Sequence, residues 1–330
     1  MKPSRLSLKA LDLFVAITRT GSVQAAADQA GLSVSTVSHH LRQLETTLGT
    51  PLFDHTRRPL RVTPAGAGFQ HDIEKALHLI AKAEAALHTG NLSETRQLGL
   101  AVIEDFDTEI APELARLLTG AMPRCHFRHL TRPSHEILDL LRRQSIDIGI
   151  AARPQFDPPD LREAPLLRDP FVLALPVTRA DAPEAFLDGD TGLPFLRYSA
   201  NQIMASQIEN QLRRLKRTLP DQYEFESNQT LMRLVAEGEG WAITTPMNYI
   251  RADRLHRQIR LAPFPGKGFA RTLSLFTTDL TDVSVARTVT ETLRRLIETR
   301  AVTPTVAAMP WLADIFRAFP VSVSEPAKST

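Results

Sequence analysis

The chain holds one cysteine among 330 residues. No intrachain disulfide can form, and no thiolate set can bind zinc. Cys125 stands in a strand-like apolar run and reads as a small buried residue rather than a redox centre. No run of about 18 apolar residues occurs, so no membrane-spanning helix is expected. The first twenty residues carry Asp12 and Arg19 inside their apolar stretch and lack a small-residue cleavage site. No signal peptide is expected, and the cytoplasm is the expected location. Also missing are a nucleophile elbow, a Walker loop, an HExxH motif and any paired metal-ligand spacing. Catalytic residues, metal ligands and a cofactor are therefore not expected. An enzyme, or a solute-binding component of a transporter, remains as a rival reading.

Charge nearly balances over the whole chain but is uneven in place. The net charge is only +2. Residues 1–62 hold eight basic residues (Lys2, Arg5, Lys9, Arg19, Arg42, Arg57, Arg58, Arg61) against four acids (Asp12, Asp28, Glu45, Asp54), which leaves the remainder slightly acidic. A basic end on a near-neutral body points to a polyanion partner for that end alone. Hydrophobic residues make up 43% and charged residues 23%, ordinary for a globular chain that is too long for one core.

Within the basic end, Leu8, Leu11, Phe14 and Val15 recur at helical spacing up to Gly21. Ser22 can cap a second helix holding Ala25, Ala26 and Ala27, and Gly31 supplies the turn after it. Ser33 or Ser35 caps a third helix, with Val34, Val37, Leu41 and Leu44 as its inward stripe. The other face shows Ser35, Thr36, Ser38, His39, Arg42 and Gln43, groups able to hydrogen-bond base edges or phosphates. Helix, glycine turn and polar-faced helix make a helix-turn-helix. The stretch from Pro51 to Thr63 reads as a two-stranded wing with a basic tip at His55, Arg57 and Arg58.

The run from Leu11 to Gly66 resembles the DNA-binding domain of LysR-type transcriptional regulators. The resemblance is carried by Phe14, Gly21-Ser22, Ala26-Ala27, Ser33, Val37-Ser38, Leu41, Leu44-Glu45, Leu48-Gly49, Pro51-Leu52-Phe53 and Thr63-Pro64-Ala65-Gly66. It implies a protein that binds double-stranded promoter DNA as a dimer, often as a dimer of dimers, and answers to a small-molecule effector. The expected DNA-binding set is Ser33, Val34, Ser35, Thr36, Ser38, His39, Arg42, His55, Arg57 and Arg58. The family commonly has glutamine at the position of Val34, and arginine at those of His39 and His55.

Next, Phe69, Ile73, Ala76, Ile80, Ala83 and Leu87 form a heptad seam that would run roughly 30 Å. It reads as a dimerising linker helix, with residues 90–93 as a hinge. From Arg96, strand-like runs alternate with amphipathic helices, the mark of an α/β sheet. Ile146-Asp147-Ile148-Gly149-Ile150, Asp169-Pro170-Phe171 and Glu237-Gly238 resemble the periplasmic-binding-protein-like effector domain of the same family, built as two subdomains.

The expected architecture is therefore α+β and multidomain. Residues 5–63 are the winged helix-turn-helix, 64–90 the linker helix and hinge, 94–300 the effector domain, and 301–330 an extension, disordered near its end. In the extension, Met309, Leu312, Ile315, Phe316 and Phe319 suggest a short amphipathic helix. An effector is expected at the carboxyl ends of the strands. The expected lining is Glu104, Asp105, Asp107, Thr108, Arg132, Ser134, Ser199, Asn201, Asn228, Thr230 and Thr245. Thr108, Ser134 and Thr230 have an equal alternative as helix caps, and Asp107 as a cap beside solvated neighbours. The clustered carboxylates would repel an anion. They point to a ligand with a cationic group, or to a zwitterion if Arg132 or Arg197 faces the cleft.

Overall fold

The computed structural model describes residues 6–57, 59–86, 95, 97–155 and 157–320. The chain divides into two compact units.

The first unit begins with α1 (Leu8–Thr20), α2 (Val23–Ala30) and α3 (Val34–Leu48). A short wing follows, β1 (Phe53–Asp54) paired antiparallel with β2 (Arg61–Val62), and then α4 (Pro64–Ala86). Helical spacing puts Leu11, Phe14 and Ile17 on one buried face of α1. Phe14 is fully buried, and its ring meets Phe53 of the wing at 5.5 Å and Phe69 of α4 at 5.4 Å. Burying such a ring contributes about 1.5–3 kcal/mol. Ala26 and Ala27 of α2 are fully buried, their small side chains allowing close helix packing. The Ser22 and Ser33 hydroxyls cap α2 and α3, and Gly31 takes a left-handed φ of 63° between them.

Two expectations change here. Val34 is exposed at 38%, so the inward stripe of α3 is only Val37, Leu41 and Leu44. As the first helical residue after the cap, Val34 stands beyond the stretch that the neighbouring helices cover. The α4 seam is also divided. Phe69, Ile73 and Leu77 pack into the unit's own core, whereas Leu79 and Ile80 are exposed. Leu87 and the hinge residues 90–93 lie outside the described residues, as do 321–330.

The second unit is a two-lobed α/β structure. Its chain order is β3 (Gln97–Val102), α5 (Ala111–Ala121), β4 (His126–Thr131), α6 (Ser134–Arg142), β5 (Ile148–Ala152), β6 (Arg162–Pro170), β7 (Val172–Pro176), α7 (Pro183–Asp188) and β8 (Leu196–Tyr198). Then come α8 (Ile203–Arg214), β9 (Tyr223–Phe225), α9 (Asn228–Glu237), β10 (Ala242–Thr244), α10 (Pro246–Ile250), β11 (Ile259–Pro263), β12 (Ala270–Thr277), α11 (Val283–Leu296), α12 (Thr303–Ala308) and β13 (Arg317–Ala318). The first lobe holds a six-stranded sheet of order β13-β6-β12-β5-β3-β4, with β4, β3 and β5 parallel. The second lobe holds β10-β7-β11 and the parallel pair β8-β9. In β5, Gly149 lets α6 close down, since a Cβ there would stand 2.5 Å from an Ile137 methyl.

The chain crosses between lobes twice, from β6 to β7 and from β11 to β12. The crossings are tied together: the Phe171 N–H donates to the Phe269 carbonyl at 2.9 Å, and the two rings stack at 4.3 Å. Asp169 and Arg271, just on the first-lobe side, are register partners in β6 and β12.

The segment from Met309 to Phe319 is not the expected helix. It makes a 3-10 turn at Pro310–Leu312 and then β13, which pairs with β6 at the sheet edge. An edge strand offers unpaired backbone groups. Here the Phe319 N–H donates to the Leu166 carbonyl and the Arg168 side chain to the Ile315 carbonyl, while Leu312 and Phe316 are fully buried. Among the described residues no helix is long and apolar enough to cross a membrane.

Candidate functional site

Two polar surfaces emerge, one on each unit. The first is the outer side of α3 with the wing. Ser33, Val34, Ser35, His39 and Arg42 are exposed, with Thr36 and Ser38 half-buried beside them. The Ser33 hydroxyl accepts the Thr36 N–H at 3.1 Å and shares hydroxyl bonds with Ser35 at 2.8 Å and Thr36 at 2.7 Å. The α3 N-terminus thus presents a knot of hydroxyls with one isopropyl group, that of Val34, beside it. Unpaired backbone N–H groups make such an end attractive to anions.

Arg42 does not pair with Glu45. Glu45 is taken up by the wing: its Oε1 accepts the N–H groups of Leu52 at 2.7 Å and Phe53 at 3.2 Å. Its other oxygen lies 3.0 Å from His55 Nε2. His55, expected at the interface, is therefore occupied in fixing the wing to α3. Beyond it, Asp54 accepts both the N–H and the hydroxyl of Thr56, which holds its carboxyl below the usual range and shapes the turn. Arg57 is exposed and lies 3.1 Å from Asp54, a surface pair that contributes little to stability. Arg58 lies outside the described residues.

The second surface is a cleft of about 280 Å³ between the lobes of the second unit. Six expected residues meet there: Glu104, Asp105, Arg132, Ser134, Asn201 and Asn228. Glu104 and Asp105 follow β3, Arg132 and Ser134 join β4 to α6, and Asn201 and Asn228 precede and open helices of the second lobe. The cleft thus sits at strand carboxyl ends. Ser134 accepts the Ala152 N–H at 3.1 Å.

The other five expected residues do not line the cleft. Asp107 does not cap α5, whose N-cap is Ile110; it accepts the Thr131 hydroxyl at 2.9 Å, and burial pushes its carboxyl up. Thr108 and Thr230 are exposed, and α9 is capped by Ser227, whose hydroxyl accepts the Thr230 N–H. Ser199 is half-buried and bonds the Glu224 side chain. Thr245 is fully buried behind the cleft floor. Arg197 is also elsewhere, tied to Glu209, Asp221 and the Leu219 carbonyl.

The floor is made by residues the sequence reading missed. Arg271 is 3% exposed. Its Nε donates to Asp169 at 2.9 Å, and its Nη2 reaches Asp105, Asp169 and the Thr245 hydroxyl, the last at 3.0 Å. One guanidinium therefore joins the end of β3 in the first lobe, the crossing strand β6, and the start of α10 in the second. Burial works against the Arg271 charge, yet Asp105 and Asp169 together hold it above its usual value. Burial pushes the fully buried Asp169 carboxyl up to about 6, against the pull of Arg271 and with a further push from Asp105. Alongside, the Tyr198 hydroxyl donates to Asn228 Oδ1 at 2.7 Å and meets Thr244 at 2.8 Å, and Asn228 Nδ2 donates to the Asn248 carbonyl at 3.0 Å. Satisfied networks of this kind are rigid. Arg271 could have been suspected as an arginine inside an otherwise apolar strand; its partners could not, since Asp105 lies 166 positions away.

The chain thus joins a winged helix-turn-helix to a two-lobed α/β domain with a polar cleft. Residues 8–67 match the model of the bacterial regulatory helix-turn-helix protein, lysR family, and residues 92–297 match that of the LysR substrate binding domain. The chain belongs to the LysR family. It is 26% identical over 191 residues to the Hca operon transcriptional activator HcaR of Escherichia coli K12, covering 56% of this chain and 63% of that one. It is 28% identical over 145 residues to the HTH-type transcriptional regulator TfdS of Cupriavidus pinatubonensis, covering 44% of this chain and 49% of that one. The matched stretches thus span less than two-thirds of either relative. In fold, the chain is similar to a Corynebacterium glutamicum OxyR C206 mutant, with a TM-score of 0.65 at 21% identity, covering 93% of this chain and 97% of that one.

Proposed function

We propose that this chain is a transcription regulator that binds promoter DNA and changes promoter activity when a small molecule enters the inter-lobe cleft. It works in the cytoplasm, as a dimer and as a dimer of dimers, and catalyses no reaction. The observation that carries the reading is the outer face of α3: Ser33, Ser35, His39 and Arg42 stand exposed on a helix whose opposite side is buried. With Val34, Thr36 and Ser38 they form the surface that enters the major groove, and Arg57 follows the backbone from the wing. Ile80 of the seam, with its neighbour Leu79, stands exposed on α4 to meet a second copy. Glu104, Asp105, Arg132, Ser134, Asn201 and Asn228 are the effector-facing set.

The test is a mobility-shift titration of the region upstream of the chain's own gene, over a range of salt. Affinity is expected to fall steeply as salt rises, and Arg42→Ala and Arg57→Ala each to reduce the salt slope by about 1. Purified protein that stays monomeric and shows no salt-sensitive affinity for that fragment would end the reading.

A further inference from the structure

We propose that the ligand of the inter-lobe cleft carries a protonated amine, held by the open carboxylate oxygen of Asp105. This rests on reading the cleft as the effector site.

The floor is short of positive charge. Asp105 and Asp169 share one guanidinium, that of Arg271. The Nε and Nη2 groups of Arg271 are committed to those carboxylates and to Thr245, and Nη1 faces the Met204 sulfur at 3.9 Å. A ligand carboxylate arriving here would find one weakly engaged amino group and would stand against Asp105. The rim does not reverse the balance. Arg132 lies 3.6 Å from Glu136, Glu104 accepts from Arg251 at 2.5 Å, and Glu226 has no ion pair among the described residues.

Two of the open hydrogen-bonding atoms at the buried floor are acceptors. Asp105 gives one oxygen to Arg271; the other has no partner among the described residues, and the side chain is only 11% exposed. Asn248 lines the same cleft at 3% exposure, and among the described residues its Oδ1 accepts nothing, while its Nδ2 points to the Met204 sulfur at 3.6 Å. An ammonium brings three donors and no acceptor. Its donors match these acceptors, whereas an anion would leave them unmet, and unmet buried polar atoms are costly. Burial already pushes the Asp169 carboxyl up to about 6, with a further push from Asp105. The same placement supplies a route out of the cleft. An ammonium on Asp105 competes with Arg271, which ties Asp105 to Thr245 in the second lobe and to Asp169 beside the crossing.

The experiment uses the full chain in thermal-shift and calorimetric titrations. Putrescine, agmatine and L-lysine serve as amine probes, and succinate and benzoate as anions, all at pH 7.5. Two variants accompany the wild type: Asp105→Asn, and Asn201→Trp, which plugs the cleft from an exposed lining position. At least one amine is expected to raise Tm, to bind about tenfold more weakly or worse to Asp105→Asn, and to lose its effect in Asn201→Trp. An amine shift unchanged in Asp105→Asn overturns the proposal. So does stabilisation by the anions with silent amines; if that shift disappears in Asn201→Trp, the cleft reading survives. Shifts that persist in Asn201→Trp, or none from either class, remove the cleft reading together with the amine. Should Asp105→Asn fail to fold, the wild-type panel and Asn201→Trp decide between these outcomes.

Discussion

Arg42 and Arg271 carry the same charge in opposite settings. Arg42 lies exposed on α3 with no ion pair among the described residues, while Arg271 is buried and holds two carboxylates and a threonine. The first is free to meet a phosphate, and its loss should hardly affect folding. The second is part of the fold, and its loss strands two acids away from water. Surfaces that bind by charge can thus be altered without unfolding the protein, whereas in the cleft binding and stability are one network.

The sharpest way to break this contrast is to remove each cation. Arg271→Ala is expected to destabilise the second unit by about 3–5 kcal/mol, because an uncompensated buried carboxylate costs far more than an intact pair contributes. Arg42→Ala should stay within about 0.5 kcal/mol. Denaturant unfolding followed by tryptophan fluorescence reads the second unit, since Trp241 and Trp311 both lie there, and helical circular dichroism follows the first unit, where Arg42 stands. Equal losses in the two variants would erase the distinction.

A pH series tests the same network from the acid side. Asp169 has its carboxyl pushed up to about 6 in the folded chain from an ordinary 3.8. The folded state therefore binds more protons between those values. The Asp169 contribution is fully present below about pH 3.8 and is lost as pH rises through about 6, a change on the order of 3 kcal/mol. Half-buried acids held low by their partners, such as Asp54 and Glu113, slope the other way. The readout is thus the difference between wild type and Asp169→Asn from pH 4.5 to 7.5. A difference that stays flat across that range would show Asp169 ionised throughout.

On the DNA side, the corresponding structural acid is Glu45. Glu45→Ala leaves the Leu52 and Phe53 N–H groups without their acceptor and frees His55. A cost of about 1–3 kcal/mol in the first unit is expected, with Glu45→Gln milder because one acceptor remains. Hydrogen exchange at Leu52 and Phe53 measures it. Unchanged protection in Glu45→Ala would mean the wing is held by its other contacts, such as the Phe14–Phe53 rings and the pairing of β1 with β2.

Local pattern explains which of these features could be seen in the sequence. The helix-turn-helix depends on neighbours three or four residues apart and on caps such as Ser22 and Ser33, so its elements and outer face were legible. Val34 was misplaced because periodicity does not reveal where a packing partner ends. The cleft is assembled from β3, β12, α8 and α10, which only the folded sheet brings together. Glu104 and Asp105 were found because strand ends in α/β sheets are where ligands gather. Arg271, Asn248 and Tyr198 escaped because nothing local distinguishes a structural residue from a lining one. The extension misled for a related reason: the apolar spacing of Met309, Leu312 and Phe316 fits a helix, but the open edge of β6 drew the chain into a strand.

The smallest expected effect is the most specific to the DNA side, and it concerns Val34. An exposed isopropyl group at the start of α3, on the face proposed to enter the major groove, has no hydrogen bond to offer, so its natural counterpart there is the C5-methyl group of thymine. Replacing each thymine of a bound operator in turn by uracil, which lacks only that methyl, should weaken binding at one position in each half-site. The expected loss is about fourfold, the equivalent of about 0.8 kcal/mol for one buried methyl group. Val34→Ala should flatten the response at that position alone. Val34→Gln should move its preference toward adenine, which glutamine can engage through paired hydrogen bonds. If no single uracil matters in wild type while Val34→Ala still binds more weakly, the side chain serves the fold of α3, and base selection at that pair belongs to Ser35, His39 or the shape of the duplex.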